Sequence, residues 1–217
     1  MVLQKNSILT VHGETTIAAS LIKAGIDVSE NAKASFLGQV NLNSQYYDDY
    51  AVLTALQKNS ILEFHQNVVV YPHDSIKGEV GSFITLKGKD NKVFPFSKMN
   101  FAHLVIDADG TRRLDQSIKP GNNLGEYNGS ITIQKGNLGT GNYSITGNPT
   151  GFIRIKNGGN LTLAGNLGFP LGFGDIYLDR FSTVTYGKIG NQDIDPLNFW
   201  NLAIRDLAQK AVQVKQL

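Results

Sequence analysis

Residues 121–175 read GNNLGEYNGSITIQKGNLGTGNYSITGNPTGFIRIKNGGNLTLAGNLGFPLGFGD, and this stretch decides the expected fold. It holds fourteen of the chain's 23 glycines and nine asparagines. Between them lie short alternating runs at 130–133, 143–146, 152–155 and 160–163. Alternation at period two with β-branched and aromatic residues predicts strands, and Gly and Asn supply the positive-φ corners of tight turns. The stretch therefore predicts a short strand, a tight turn and the next short strand, repeated.

The N-terminal residues also consist of short alternating runs separated by turn residues. Residues 9–17 read LTVHGETTI and residues 25–43 read GIDVSENAKASFLGQVNLN; NGGNLTLAGNLGF follows at 157–169. These phrases resemble the repeats of bacteriophage fibre and baseplate proteins. The resemblance implies short strands wrapped around the axis of an intertwined trimer. The alternative from the residues alone is an ordinary β-sandwich with Gly-rich hairpins.

An internal repeat links two parts of the chain. Residues 3–12, LQKNSILTVH, recur as residues 56–65, LQKNSILEFH, with eight of ten positions identical. In both copies Lys-Asn-Ser predicts a turn that leads into an alternating strand. We interpret the repeat as a duplicated strand-turn unit whose copies lie in one sheet, with His12 and His65 as strand-end residues. Chance similarity is the alternative.

Residues 61–118 read as a β meander. In it, Asp107-Ala108-Asp109-Gly110 predicts a hairpin turn, because Asp-Gly between alternating segments favours a tight β turn. The same residues look like part of a calcium loop, but Arg112 and Arg113 stand where further oxygen ligands are needed. We therefore expect a plain hairpin and no metal site.

The C-terminal residues have the spacing of a helix rather than that of a strand. Asp195 is a good N-cap, and Pro196 suits the first helical position. The apolar residues that follow at three- and four-residue steps are Leu197, Trp200, Ile204, Leu207, Ala211 and Val214. The spacing predicts an amphipathic helix over 195–217. Its apolar stripe packs either on the chain's own sheet or on a neighbouring subunit.

Composition excludes several classes of protein. The chain has 217 residues, no cysteine and a formal net charge of +2, so disulfides, thiolate metal sites and a basic nucleic-acid footprint are not expected. The first residues lack the basic start and apolar core of a secretory signal, and no run of about 20 apolar residues occurs. We expect no nucleic-acid or membrane partner.

No catalytic constellation stands out. The four histidines lack the spacing of metal ligands, and no phosphate-binding loop or nucleophile elbow occurs. Carboxylate pairs that are candidates for glycoside hydrolysis by residue type only are Asp48/Asp49, Asp107/Asp109 and Asp175/Asp179. The sequence predicts no cofactor, no metal and no enzymatic activity.

The expected fold is mainly β. We predict an antiparallel sandwich or fibre-like β domain with a projecting N-terminal β segment (1–43), a main β domain (44–194) and one C-terminal amphipathic helix (195–217). A Tyr cluster at 46–50 suits an interface, because a tyrosine ring is apolar while its hydroxyl tolerates water. The interface candidates are Tyr46, Tyr47, Tyr50, Leu197, Trp200, Ile204, Leu207 and Ala211.

The expected function is that of a structural component of a bacteriophage particle, as a fibre, capsid-decoration or tail protein. It is made in the host cytoplasm, located in the virion, and acts by self-association, with a trimer favoured, and by docking to other virion proteins. One alternative is a carbohydrate-binding β-sandwich, whose mark would be a shallow groove lined by Trp and Tyr with amides and carboxylates nearby. A small β hydrolase is the third hypothesis.

Overall fold

The computed structural model describes residues 1–19, 23–44, 49–121, 128–164, 168–187, 192, 194–195 and 197–204. The strands in chain order are β1 (Val2–Leu3), β2 (Ile8–Val11), β3 (Thr15–Ile17), β4 (Lys23–Val28), β5 (Lys33–Phe36), β6 (Val40–Leu42), β7 (Tyr50–Ala55), β8 (Ile61–Phe64), β9 (Val68–Val70), β10 (Ser75–Gly78), β11 (Phe83–Leu86), β12 (Lys92–Val93), β13 (Met99–Asn100), β14 (His103–Arg113), β15 (Ser130–Gly139), β16 (Phe152–Ile155), β17 (Gly159–Leu163), β18 (Asp175–Leu178), β19 (Thr183–Tyr186) and β20 (Asn201–Ile204). A short 3₁₀ turn lies at Phe96–Lys98.

Every described strand pairing is parallel. Each strand pairs with the strand one turn of chain away, and the shortest step is the 18 residues from Thr183 to Asn201. The longest step is 28 residues, as from Lys33 to Ile61. In the described residues, short parallel strands stack turn upon turn with no α-helix between them, and this arrangement is a β-solenoid.

Each turn of the solenoid passes three faces. The first face is the sheet β1-β4-β7-β10-β13. The second contains β2, β5, β8 and β11, the first halves of β14 and β15, and then β16 and β18. The third contains β3, β6, β9 and β12, the second halves of β14 and β15, and then β17, β19 and β20. The strands β14 and β15 are long because each continues around the corner between two faces.

The core is a set of columns that run along the solenoid axis. On the second face one column consists of Val11, Phe36, Phe64, Leu86, Ile106, Ile133, Ile155 and Leu178. Within it the rings of Phe36 and Phe64 stack with centroids 5.6 Å apart. The in-register stack places like residues above one another, so alternation at period two buries one residue in two.

The structure explains the internal repeat. Ile8 pairs with Lys33, which pairs with Ile61, so the two copies lie two turns apart at the same position of one sheet. The prediction that the copies form equivalent strands of one sheet is confirmed. His12 and His65 each follow directly after a strand, as expected.

Three fold predictions are wrong. The sheets are parallel rather than antiparallel, because the Gly and Asn turns carry the chain around a corner instead of back along itself. The N-terminal segment does not project, since β5 pairs with β8 and Phe36 lies in the common core. The sequence around Asp109 forms no hairpin, because β14 runs through it from His103 to Arg113.

The predicted C-terminal helix is also wrong. Residues Asn201–Ile204 form β20, which pairs in parallel with β19. Trp200 and Ile204 are four residues apart, a spacing that places two side chains on one side of a helix and of a strand alike. Residues 205–217, with Leu207 and Ala211, lie outside the described residues. Among the described residues, no helix has the length and hydropathy to cross a membrane.

Candidate functional site

The C-terminal end of the described stack exposes residues that stand in core columns. Leu202 pairs with buried Val184 and Ile204 with buried Tyr186, yet Leu202 and Ile204 are 39% and 36% exposed. On the second face Ile176 continues the column of buried Ile153 and is 37% exposed. These three side chains form what we call the open end: Ile176, Leu202 and Ile204. They are exposed because no described strand stacks on β18 or β20.

A cleft of about 390 Å³ lies beside the outer edge of β18. Its lining residues are Ile176, Tyr177, Leu178, Asp179, Leu197 and Asn198. Among the described strands, β18 pairs only with β16, so no described strand occupies its other edge. The cleft combines this edge with the apolar side chain of Ile176.

A second group of residues, the corner cluster, consists of Arg180, Phe181 and Trp200. The Phe181 and Trp200 rings meet edge to face with centroids 5.7 Å apart. The guanidinium carbon of Arg180 lies 4.7 Å from the Phe181 centroid and 5.4 Å from the Trp200 centroid. Phe181 and Trp200 are nevertheless 50% and 51% exposed. The cluster is an aromatic surface open to solvent that holds a cation by cation–π contact.

The corner cluster adjoins an ion pair on the second face. Arg154 Nε donates to both carboxylate oxygens of Asp179 at 3.1 Å, and Arg154 Nη2 donates to Oδ2 at 2.9 Å. The Arg154 guanidinium lies 5.8 Å from the centroid of Tyr177, whose ring meets Phe152 edge to face. These contacts fix the segment that leads from Tyr177 into Phe181.

The second face carries a charge cluster around Glu63 further down the stack. Its carboxylate lies 2.9 Å from Lys33 Nζ, 3.3 Å from Lys87 Nζ and 2.8 Å from His65 Nε2. Burial acts to raise the pKa of Glu63, but the hydrogen bonds from His65 and Lys33 and the two lysine charges outweigh it and lower the pKa to about 2. An ionised carboxylate with this many partners binds its turn to the neighbouring turns, and it is a poor proton donor at neutral pH.

The structure separates the predicted interface residues. Leu197 packs against the core, while Trp200 and Ile204 are exposed at the C-terminal end. Tyr50 is 38% exposed but begins β7 on the first face, several turns away. The remaining four, Tyr46, Tyr47, Leu207 and Ala211, lie outside the described residues.

Three of the carboxylates considered for catalysis or metal binding, Asp107, Asp109 and Asp179, have basic partners. Asp107 lies 3.3 Å from Lys87, and Asp109 pairs with Lys135, which lowers the pKa of Asp109 through a hydrogen bond and its charge. The Asp179 carboxylate is held by Arg154. In the described part of the chain no group of three or more His, Cys, Asp or Glu residues is placed to hold a metal ion.

Sequence reasoning missed Arg180, Phe181 and Ile176. Phe181 has φ +62°, and one turn earlier Gly158 has φ +79°, a conformation that glycine adopts without strain. The signal that could have identified Phe181 is the 23-residue step from Asn160 to Thr183. This step places Phe181 at the position that Gly158 holds one turn earlier.

Neither a family model, nor a curated protein, nor a solved structure matches this chain.

Proposed function

We propose that this protein is a structural component of a bacteriophage particle that acts by self-association and by docking to other virion proteins. The observation that carries the proposal is the open end. Ile176, Leu202 and Ile204 continue the core columns of the solenoid but are exposed, so another chain that stacks on them extends a core that already exists.

Three further features support this role. The resemblance of residues 9–17 and 25–43 to fibre and baseplate repeats implies a virion protein and favours a trimer. The described columns of buried side chains and ladders of parallel strands give a rod that is regular along its length, as a fibre or tail component requires. The cleft beside β18 offers a strand edge to which a partner chain adds by backbone hydrogen bonds.

Light scattering of the purified protein tests self-association. One chain has a mass of 23.7 kDa, and we expect a multiple of this mass in solution, of which the resemblance to fibre repeats favours three times. The double variant Leu202→Asp/Ile204→Asp should have the mass of a monomer. It places two carboxylates in the interface between stacked chains, where they lose water without gaining a partner. Val93→Asp is the matched control, since Val93 is 60% exposed on β12 in the middle of the stack. A monomeric wild-type protein would contradict the self-association.

Mass spectrometry of purified virions tests the location. The chain should be present at a fixed number of copies per particle, and the double variant should be depleted from particles while Val93→Asp is retained. Absence of the wild-type chain from the particles would contradict the virion role even if the protein self-associates.

A further inference from the structure

We propose that the corner cluster of Arg180, Phe181 and Trp200 binds a carboxylate-bearing polysaccharide. A sugar ring packs its apolar C–H face on the exposed aromatic rings, and the guanidinium of Arg180 donates to the sugar carboxylate. This inference does not depend on the virion role.

Backbone strain is the first argument. Phe181 has φ +62°, which a bulky side chain rarely adopts, whereas the other described non-glycine residues with positive φ are Asn6, Asn31 and Asn59. Asparagine tolerates this conformation because its short side chain bonds locally. At the equivalent place one turn earlier stands Gly158, so the turn itself does not require an aromatic residue. A phenylalanine that is strained and half exposed is typical of a residue that contacts a ligand rather than the protein's own core.

Aromatic exposure is the second argument. Phe181 and Trp200 are each about half exposed, although they contact each other and Arg180. Trp200 is the only tryptophan of the chain. Rings that stay open to solvent at a rigid corner offer an apolar platform at little cost in side-chain entropy.

The charge of Arg180 is the third argument. The described residues supply Arg154 with a carboxylate partner, Asp179, but supply none for Arg180, whose contacts are the two rings. A guanidinium presents five donors in a fork that matches a carboxylate. A guanidinium that has no carboxylate partner among the described residues and lies beside the apolar platform therefore favours a sugar acid over a neutral sugar.

Local charge argues against nucleic acid. The described ionic residues nearest in sequence and pairing are Arg154, Lys156 and Arg180 with Asp175, Asp179 and Asp195, which balance to zero. Binding of single-stranded nucleic acid needs a positive groove along the phosphate backbone in addition to stacking rings.

Tryptophan fluorescence reads the site directly, because the chain holds one tryptophan and it lies in the cluster. The probes are hexagalacturonate and sialyllactose as acidic sugars, maltohexaose as a neutral sugar and a single-stranded oligodeoxythymidine. We expect a saturable change with an acidic sugar at millimolar concentration or below, and a weaker response to maltohexaose. Absence of a saturable response to both acidic sugars overturns the proposal, and so does a response to the oligonucleotide alone or a stronger response to maltohexaose.

Two variants distinguish binding from a structural role. Phe181→Asn should weaken binding about tenfold or more while the melting temperature stays the same or rises, because asparagine relieves the strain. Arg180→Gln should remove the preference for acidic over neutral sugar. Tyr71→Asn is the matched control, since Tyr71 is 45% exposed between β9 and β10, away from the cluster, and should bind as the wild type does. Unchanged binding by Phe181→Asn, or a large fall in its melting temperature, overturns the proposal. Sugar binding is measured by fluorescence titration and self-association by light scattering. A negative result in one experiment therefore does not contradict the other proposal.

Discussion

Asn59 lies directly above Asn31 at a corner of the solenoid, and its side-chain Nδ2 donates to Oδ1 of Asn31 at 3.0 Å. Both residues have positive φ, 61° and 54°. Their backbone N–H groups also bond to the next turn, from Asn31 to the Lys58 carbonyl and from Asn59 to the Gly81 carbonyl. The corner between the first and second faces is thus a ladder in which asparagine supplies both the backbone conformation and a side-chain bond.

Replacing Asn59 by alanine should therefore lower the free energy of unfolding by about 1–2 kcal/mol, because alanine meets the steric cost of left-handed φ without the side-chain hydrogen bond that offsets it in asparagine. Urea unfolding followed by circular dichroism measures the change. Asn59→Gly is the control, because glycine adopts the conformation without strain and loses only the side-chain bond. Equal losses in the two variants would contradict the conformational argument.

Close approach of neighbouring turns makes Gly151 sensitive to substitution. A Cβ at Gly151 would lie 2.0 Å from the backbone oxygen of Gly129, one turn below, so alanine has to push two turns apart. We expect Gly151→Ala to cost about 1–3 kcal/mol or more, as overpacking of a filled site does. Gly139→Ala is the matched control at the end of β15, since its Cβ would meet nothing closer than 3.5 Å. If thermal melts show the two variants to be equally stable, the turns are not packed as described.

The charge cluster around Glu63 predicts a loss of stability in acid. The pKa of Glu63 falls from 4.5 to about 2 in the folded protein, so the unfolded chain takes up the proton first as the pH falls. The contribution is complete above the unfolded pKa and is lost as the pH drops through the folded pKa. By linkage, a shift of this size corresponds to on the order of 3 kcal/mol.

Urea unfolding at a series of pH values measures this contribution. The wild-type protein should lose stability steadily over the interval between the two pKa values, and Glu63→Gln should show a shallower slope there and a lower plateau at neutral pH. Asp175→Asn is the control, because Asp175 is an exposed carboxylate at the other end of the same face. If Glu63→Gln retains the wild-type slope, the acid sensitivity belongs to another group.

Arg112 is almost fully buried, at 1% exposure, and its guanidinium donates to the backbone carbonyls of Lys87 and Asp90 and lies 5.5 Å from the Phe94 centroid. Burial lowers the pKa of Arg112 because it penalises the charged form. Arg112→Met keeps much of the packing volume but leaves the two carbonyls unpaired, so we expect a loss of about 1–3 kcal/mol. Arg113→Met, next to it and exposed, should change little. Wild-type stability of Arg112→Met in urea would show that the carbonyls find other partners.

The sequence predicted the strands better than their arrangement. Runs such as 130–133, 152–155 and 160–163 are strands as expected, because alternation reports which residues one face buries. The sequence did not show whether the strands pair in parallel or antiparallel, because Gly and Asn are equally suited to a hairpin turn and to a solenoid corner. The repeat of residues 3–12 at 56–65 correctly predicted equivalent strands in one sheet. Because the two copies lie two turns apart, the repeat did not show how many residues make one turn.

The candidate site was only partly accessible to sequence reasoning. Trp200 and Ile204 were singled out on a helical pattern, and the structure keeps both exposed while placing Ile204 on a strand. Arg180 and Phe181 were missed, because nothing local distinguishes Arg-Phe in a turn from any exposed pair. Their contact with Trp200 depends on the 18-residue step from Thr183 to Asn201, which brings two corners together.

By itself the sequence determined that this chain is built of short strands and tight turns, and that buried and exposed residues alternate along the strands. These properties are local or compositional. The tertiary structure alone decided that the strands stack in parallel, that Glu63 meets Lys33 and Lys87 from neighbouring turns, and that Ile176 and Leu202 end exposed columns. Each of these depends on the number of residues per turn, which sets the residues that lie above one another and which no single segment encodes.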